Sequence, residues 1–182
     1  FYLSVHYTAP HSPWEEGQHP RDLTALYTDC PFETCPDLPA AHPWQINSAP
    51  RGQGEKRLEL LRGYYAAISG LDRGVGALLA KLDELNLREN TLVIFSGDNG
   101  MNMGQHGIWG KGNGTFPLNM YDTSVKVPFI LSWPGHVPEG IVDTHLLGHY
   151  DWMPTLLDAL HIPQCEENLP GSSFAPLLRG DP

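Results

Sequence analysis

This sequence of 182 residues lacks the features of several protein classes. It has no run of about 20 uninterrupted apolar residues, which excludes a transmembrane helix. Lysine and arginine number only 11 against 21 aspartate and glutamate, a net charge of −10, so no basic stripe is present to bind nucleic acid. Three cysteines do not make a disulfide framework; Cys30 and Cys35 could pair, but we interpret them as ordinary thiols.

The composition that remains, 41% hydrophobic and 18% charged, is typical of a globular α/β domain. The sequence opens within Phe1–Tyr7, an alternating β-rich run with no initiator methionine. We therefore expect residues 1–182 to be part of a larger chain, in which preceding residues hold some of the functional groups.

Hydrophobic periodicity predicts the first elements. Residues 1–7 are expected to form a strand. Residues 8–54 contain 8 of the 17 prolines and little periodicity, which predicts a long irregular segment. From Glu55 to Leu85, apolar residues recur every three or four positions, which predicts an amphipathic helix. Glycines within it, such as Gly63, are interpreted as sites of close packing or a bend.

The second half of the sequence predicts two further strands and two helices. Leu92–Phe95 and Val127–Trp133 are apolar runs typical of strands buried on both faces. Asp151 is expected to be the N-cap of a helix, and Ser172 or Ser173 the cap of a final short helix. This order predicts an α/β fold with a mostly parallel sheet sandwiched by helices.

Polar groups follow two of the predicted strands, where open α/β sheets bind their ligands. His11 follows the first strand, and Asp98 and Asn99 follow the second. Carboxylate and amide oxygens are ligands that Ca²⁺ and Mg²⁺ prefer. On the tripeptide Asp-Asn-Gly alone, an Asx turn without a metal is the favoured explanation.

The segment 97–114 has 7 glycines in 18 positions and also contains His106 and Lys111. Its backbone must bend sharply or approach another group closely. The Lys111 ammonium is a compact charge suited to an oxyanion such as sulfate or phosphate, although a lone lysine is most often a solvated surface residue.

Taken together, these segments resemble the type I sulfatases, the formylglycine-dependent branch of the alkaline phosphatase superfamily. The resemblance follows the family's order from one end of the sequence to the other, except in the insertion loop 14–54. The matching segments are Phe1–Pro13, Tyr64–Leu87, Asn90–Gly100, His106–Lys111, Val127–Gly135, Asp151–Asp158 and Gly171–Leu178.

The resemblance implies metal-assisted hydrolysis of a sulfate ester or sulfamate, on a small molecule or a glycan. It implies that Asp98 and Asn99 ligate Ca²⁺ or Mg²⁺ and that His11 and Lys111 bind the sulfate. His11 would also act as the general acid. His106 would either line the substrate pocket or brace its loop.

Two departures from the family accompany the resemblance. The nucleophile, a formylglycine made within C-x-P-x-R or S-x-P-x-R, matches nothing here, so we expect it upstream, in the remaining part of the same catalytic domain. Asp122 and Lys126 stand where relatives often have Glu and Arg, which puts a buried ion pair there in doubt. We expect the loop 14–54 to form the side of the substrate pocket that determines specificity, which we call the candidate specificity wall. The residues expected to contribute are Trp14, His19, Arg21, Trp44 and Arg51.

Two other functions are compatible with the same residues. One is a phosphodiesterase or phosphonate monoester hydrolase of the same superfamily, because a fold does not determine a reaction. The other is a catalytically silent sulfatase-like module that binds anionic glycans or a protein. A nucleophile motif upstream would favour an enzyme, and its absence would favour the silent module.

Overall fold

A computed structural model describes residues 1–38, 40–163 and 169–180 of the protein. Its helices are α1 (Arg21–Thr24), α2 (Gly54–Glu84), α3 (Asp122–Val125), α4 (Trp152–Ala159) and α5 (Ala175–Leu178). Its strands are β1 (Val93–Ser96), β2 (Asn102–Met103), β3 (Trp109–Gly110) and β4 (Phe129–Ser132). No helix within the described ranges is both long and apolar enough to cross a membrane.

The chain divides into two compact units: residues 1–81 with 96–129, and residues 82–95 with 130–182. The described residues form two-stranded sheets, β1 with β4 and β2 with β3, and the second pair is antiparallel. The presence of both helices and strands confirms the predicted α/β class. The mostly parallel sheet stays a prediction.

The strand predicted over residues 1–7 is wrong for this structure. These residues are exposed and belong to neither of the sheets formed by the described residues. A strand exists only through hydrogen bonds to a neighbour, so alternation along the sequence is not sufficient to create one.

The two buried strands are confirmed in position but not in burial. β1 lies within one residue of its prediction and β4 lies inside its predicted range, yet Ile94 is 37% exposed and Ile130 is 58% exposed. Exposure alternates along β1, which indicates that one of its faces is covered. Burial of both faces requires a packed layer on each side of the sheet, and among the described residues β1 and β4 do not have both faces covered.

The predicted amphipathic helix is confirmed as α2, and its buried side carries the core of the first unit. Leu60 and Leu61 are fully buried, and Gly63 contacts the backbone of Trp14. The buried side chains of this core are Trp14, Phe32, Cys35, Leu60, Leu61, Met103 and Trp109.

The insertion loop 14–54 has no long element, as predicted, but it is packed along α2. The buried guanidinium of Arg57 donates a hydrogen bond to the carbonyl of Cys35. Farther along α2, the hydroxyls of Tyr27 and Ser69 are 2.6 Å apart. Cys35 is buried, and both it and Cys30 are free thiols, as interpreted from the sequence.

One of the two predicted helix caps lies at the N-cap position. The N-cap residue of α5 is Phe174, so the cap predicted at Ser172 or Ser173 is displaced, although the Ser173 hydroxyl accepts a hydrogen bond from the Ala175 amide at 3.2 Å. Asp151 precedes α4, but its carboxylate accepts the Gly148 amide at 2.7 Å and thereby closes the preceding turn. The side chain therefore stabilises the entry to the helix rather than its first free amides.

Burial raises the pKa of the Tyr64 phenol above its ordinary value, because the phenolate would lose its hydration. The folded protein then keeps this proton where the unfolded chain has lost it, so stability is full below the ordinary tyrosine pKa of about 10 and falls as pH rises beyond it. We expect Tyr64→Phe to lessen the alkaline loss of unfolding free energy, measured by urea denaturation from about pH 8 to 11. Tyr2→Phe, at an 85% exposed ring, is the control, and equal pH profiles for both variants would contradict the assignment.

Candidate active site

The turn that carries His11 is anchored in the core by Trp14. The Trp14 indole is 2% exposed and donates a 2.8 Å hydrogen bond to the Pro10 carbonyl. The His11 amide donates to the Thr8 carbonyl at 2.9 Å, which closes the turn. Core packing therefore positions a histidine that is itself exposed.

One nitrogen of the His11 ring is engaged and the other is free. Nδ1 lies 3.0 Å from the Ser12 carbonyl oxygen, which accepts a hydrogen bond in the tautomer that has a proton on Nδ1, and 3.4 Å from the Ser12 hydroxyl. Within the described part of the chain, Nε2 has no hydrogen-bond partner. A ring held through Nδ1 can present Nε2 to a substrate, as an acceptor when neutral and as a donor when protonated.

Asp98 and Asn99 form a bend directly after β1, with Asp98 exposed and Asn99 half-buried. Neither side chain has a hydrogen bond or ion pair to any described residue. The bend is held by its backbone, because the Gly100 amide donates to the Ser124 carbonyl at 3.1 Å and a Cβ at Gly100 would meet the Thr123 carbonyl at 2.3 Å.

The donor chemistry of Asp98 and Asn99 fits a hard cation. Ca²⁺ takes roughly six to eight oxygen ligands, so this pair would supply only part of its coordination shell. Across residues 1–38, 40–163 and 169–180, no group of three or more His, Cys, Asp and Glu side chains is placed to hold a metal.

Lys111 lies at the same end of the β2–β3 hairpin as Asn99. Asn102 pairs with Gly110 in the antiparallel hairpin. The segment before β2, which contains Gly100, and the residue after β3, Lys111, therefore adjoin the same end of the hairpin. The Lys111 side chain is half-buried, and its ammonium forms no ion pair with a carboxylate in the described ranges. A half-buried cation without a counterion favours the binding of an anion.

A buried polar network that the sequence analysis missed holds this loop. Asn102 is fully buried, and its amide nitrogen donates to the Gly110 carbonyl at 3.0 Å and to the Ser124 hydroxyl at 2.7 Å. Ser124 donates in turn to Asn119 at 2.6 Å, and the Asn119 amide donates to the Lys111 carbonyl at 3.4 Å. Asn102, Asn119 and Ser124 were the available sequence signal, because asparagines and a small hydroxyl residue in one segment can form such a hydrogen-bond network.

His106 packs against an aromatic side chain, an arrangement that favours the predicted alternative in which it braces its loop. Its ring stacks on Tyr121 with centroids 4.0 Å apart and planes 10° from parallel. The residue has a φ of 57°, a left-handed conformation that a non-glycine residue adopts at some cost. A contact of His106 with substrate stays a prediction.

The candidate specificity wall is corrected at Trp14, which lies in the core and is not accessible to a ligand. Trp44 is 57% exposed, and Arg51 lines a cavity of about 480 Å³ together with Gln53 and Trp109. The loop thus contributes both core packing and open surface.

The strand pairing relates these predicted residues only through the backbone. Lys111 directly follows β3, and the segment with Asp98 and Asn99 leads into β2, so both segments adjoin the same end of the hairpin. No hydrogen bond joins His11 to this end within the described residues. Lys126 does pair with Asp122 at 2.7 Å, but both side chains are more than two-thirds exposed, so the pair is a surface interaction rather than a buried one.

Comparison with known proteins extends over most of this chain. A sequence model of the family described as Sulfatase matches residues 1–162. The chain is 31% identical over 181 residues to an endo-4-O-sulfatase of Bacteroides thetaiotaomicron, covering 98% of this chain and 32% of that protein. It is 33% identical over 156 residues to iduronate 2-sulfatase of Mus musculus, covering 74% of this chain and 27% of that protein. The chain thus spans a third or less of these curated relatives.

Solved structures give a consistent result. A structure from work on the metabolism of multiple glycosaminoglycans by Bacteroides thetaiotaomicron has a TM-score of 0.72 and 30% identity, covering 96% of this chain and 33% of that one. A phosphonate monoester hydrolase from Silicibacter pomeroyi has a TM-score of 0.63 and 26% identity, covering 73% of this chain and 25% of that one.

Proposed function

This chain belongs to the sulfatase family, and we propose that it supplies part of an active site that hydrolyses a sulfate ester or sulfamate. The observation that carries the proposal is the Lys111 end of the β2–β3 hairpin. Lys111, a half-buried residue without a counterion among the described residues, directly follows β3. The bend with the unengaged side chains of Asp98 and Asn99 leads into β2 at the same end of the hairpin. In a chain with a net charge of −10, such a local anion site is distinctive.

We assign the roles from the chemistry of each side chain. Asp98 and Asn99 would hold Ca²⁺ or Mg²⁺, which supplies charge neutralisation at the sulfate oxygens when bound. Lys111 binds a sulfate oxygen as a point charge. His11, when protonated, donates from Nε2 to the oxygen that bridges sulfur and the leaving group, and the proton departs with the alcohol. We further propose that β1 and β4 belong to a mostly parallel sheet.

The nucleophile that the family resemblance implies, a hydrated formylglycine, matches neither Cys30 nor Cys35, because neither begins a C-x-P-x-R motif. We propose that it lies on sequence preceding Phe1. Peptide mapping of the full-length protein by mass spectrometry tests this point directly.

The proposed reaction is tested on full-length protein by measuring sulfate release from sulfated oligosaccharides, an aryl sulfate and choline sulfate. We expect release from at least one substrate, its loss on chelation with EDTA, and its recovery with Ca²⁺ or Mg²⁺. A phosphonate monoester is included because a solved relative is a hydrolase of that class. Turnover of the phosphonate alone would favour that reaction, and absence of all turnover and of formylglycine would favour the silent module.

Removal of the Asp98 carboxylate is expected to weaken metal binding. We expect Asp98→Ala to raise the Kd for Ca²⁺ more than about tenfold, since loss of even an outer-sphere partner costs roughly 10- to 100-fold. Titration calorimetry on the full-length protein measures this effect. Asp122→Ala is the matched control, because that exposed carboxylate only pairs with Lys126. An unchanged Kd for Asp98→Ala would remove Asp98 from the metal site.

A further inference from the structure

Four aromatic side chains form a surface cluster in the unit that contains Lys111. We call His42, Trp44, His106 and Tyr121 the aromatic platform. His106 stacks on Tyr121, and the His42 ring lies edge-on to both Tyr121, at 6.2 Å, and Trp44, at 5.7 Å between centroids. Single exposed aromatic side chains are common, but a contiguous group of them marks a binding surface.

The platform is open to solvent. Trp44 is 57% exposed, Tyr121 is 38% exposed, and the His106 side chain is also exposed. None of the four belongs to the hydrophobic core of this unit, which is formed by other side chains on α2, the insertion loop and the β2–β3 hairpin. Core packing among the described residues therefore does not account for the cluster.

The platform is also held in place by its backbone. The His42 amide donates to the Gly107 carbonyl at 2.9 Å, and a Cβ on Gly107 would lie 2.8 Å from that amide nitrogen. The Tyr121 hydroxyl lies 3.4 Å from Nε2 of His42. Together with the left-handed backbone at His106, these contacts create a preorganised surface, and strained residues of this kind cluster at ligand sites.

The position of the platform suits one sugar residue next to the sulfate. His106 lies in the turn at the tip of the β2–β3 hairpin, whereas Lys111 leaves its open end. The two residue pairs between them span about 7 Å of strand, comparable to the length of one monosaccharide unit.

We infer that the aromatic platform binds a pyranose ring of a sulfated oligosaccharide, an inference that rests on the proposed function and specifies its substrate class. The C–H groups on one face of a pyranose carry partial positive charge and pack on the electron-rich faces of aromatic rings. The sugar hydroxyls would find donors and acceptors in the Trp44 indole, the Tyr121 hydroxyl and the histidine rings.

The test compares full-length wild-type protein with Trp44→Ala, Tyr121→Ala and the conservative Trp44→Phe. Titration calorimetry measures the Kd for tetrasaccharides of chondroitin sulfate and heparin, and sulfate release is followed in parallel with ethyl sulfate as a substrate without a ring. Tyr150→Ala is the control, because Tyr150 is 63% exposed and lies in the other unit. Thermal unfolding confirms that each variant is folded.

We expect both alanine variants to weaken tetrasaccharide binding roughly three- to tenfold, with Trp44→Phe in between and Tyr150→Ala unchanged. Weaker tetrasaccharide binding in Trp44→Ala and Tyr121→Ala but not in Tyr150→Ala supports the platform. If the wild-type protein binds the tetrasaccharides but releases no sulfate, only the proposed reaction fails. Sulfate release with unchanged Kd values in the alanine variants would overturn the platform and leave the reaction intact. Failure of every tetrasaccharide to bind, or equal weakening by Tyr150→Ala, would also overturn it.

Discussion

Lys111→Ala is expected to lower kcat/KM for a sulfate ester by about a hundred- to a thousandfold in the full-length protein, the loss typical of removing one group that stabilises a developing oxyanion. Lys111 is half-buried as a residue and its ammonium has no carboxylate partner in the described ranges, so it has no competing structural ion pair. Its charge is therefore free to act on the substrate. Because the developing charge is largest in the transition state, we expect kcat to fall more than KM rises.

Two further variants make this prediction specific. Lys111→Arg keeps the charge but replaces a compact ammonium with a planar fork, and we expect it to recover only part of the activity. Lys126→Ala removes an exposed lysine that pairs with Asp122, and we expect less than a twofold change, since exposed pairs contribute about 0.2–1 kcal/mol to stability and nothing here to the reaction. A Lys111→Ala enzyme with nearly wild-type kcat/KM would exclude Lys111 from the site.

Gly63→Ala is expected to reduce the free energy of unfolding by about 3 kcal/mol, at the upper end of typical overpacking costs. A Cβ at Gly63 would lie 1.8 Å from the Trp14 carbonyl oxygen and 2.6 Å from its carbonyl carbon. These are backbone atoms, so no rotamer change relieves the contact. Because the Trp14 indole anchors the His11 turn through the Pro10 carbonyl, we also expect the variant to lose activity.

The same helix offers the matched control. No atom lies within 4 Å of a Cβ built on Gly76, so Gly76→Ala changes helix propensity alone. We expect it to stabilise the protein by about 0.5–1 kcal/mol. Urea denaturation of the full-length protein measures both variants. If Gly63→Ala were as stable as Gly76→Ala, the close packing of Trp14 on α2 would be incorrect.

Sequence patterns alone determined the local features of this protein. The helix predicted from Glu55 to Leu85 is α2, Gly54–Glu84, because helical hydrogen bonds join residues four apart and the apolar period records which side is buried. The positions of β1 and β4, the N-cap position of Asp151 and the family resemblance were likewise present in short stretches of sequence.

Tertiary structure decided which of these residues are engaged and which are free. The alternation in residues 1–7 did not make a strand, because a strand depends on a neighbour that its own sequence does not specify. Trp14 was expected at the surface but lies in the core, since contact with Gly63 depends on how the loop packs on α2. The buried amide of Asn102 and the stack of His106 on Tyr121 arise from contacts between residues distant in sequence, and only the folded chain creates them.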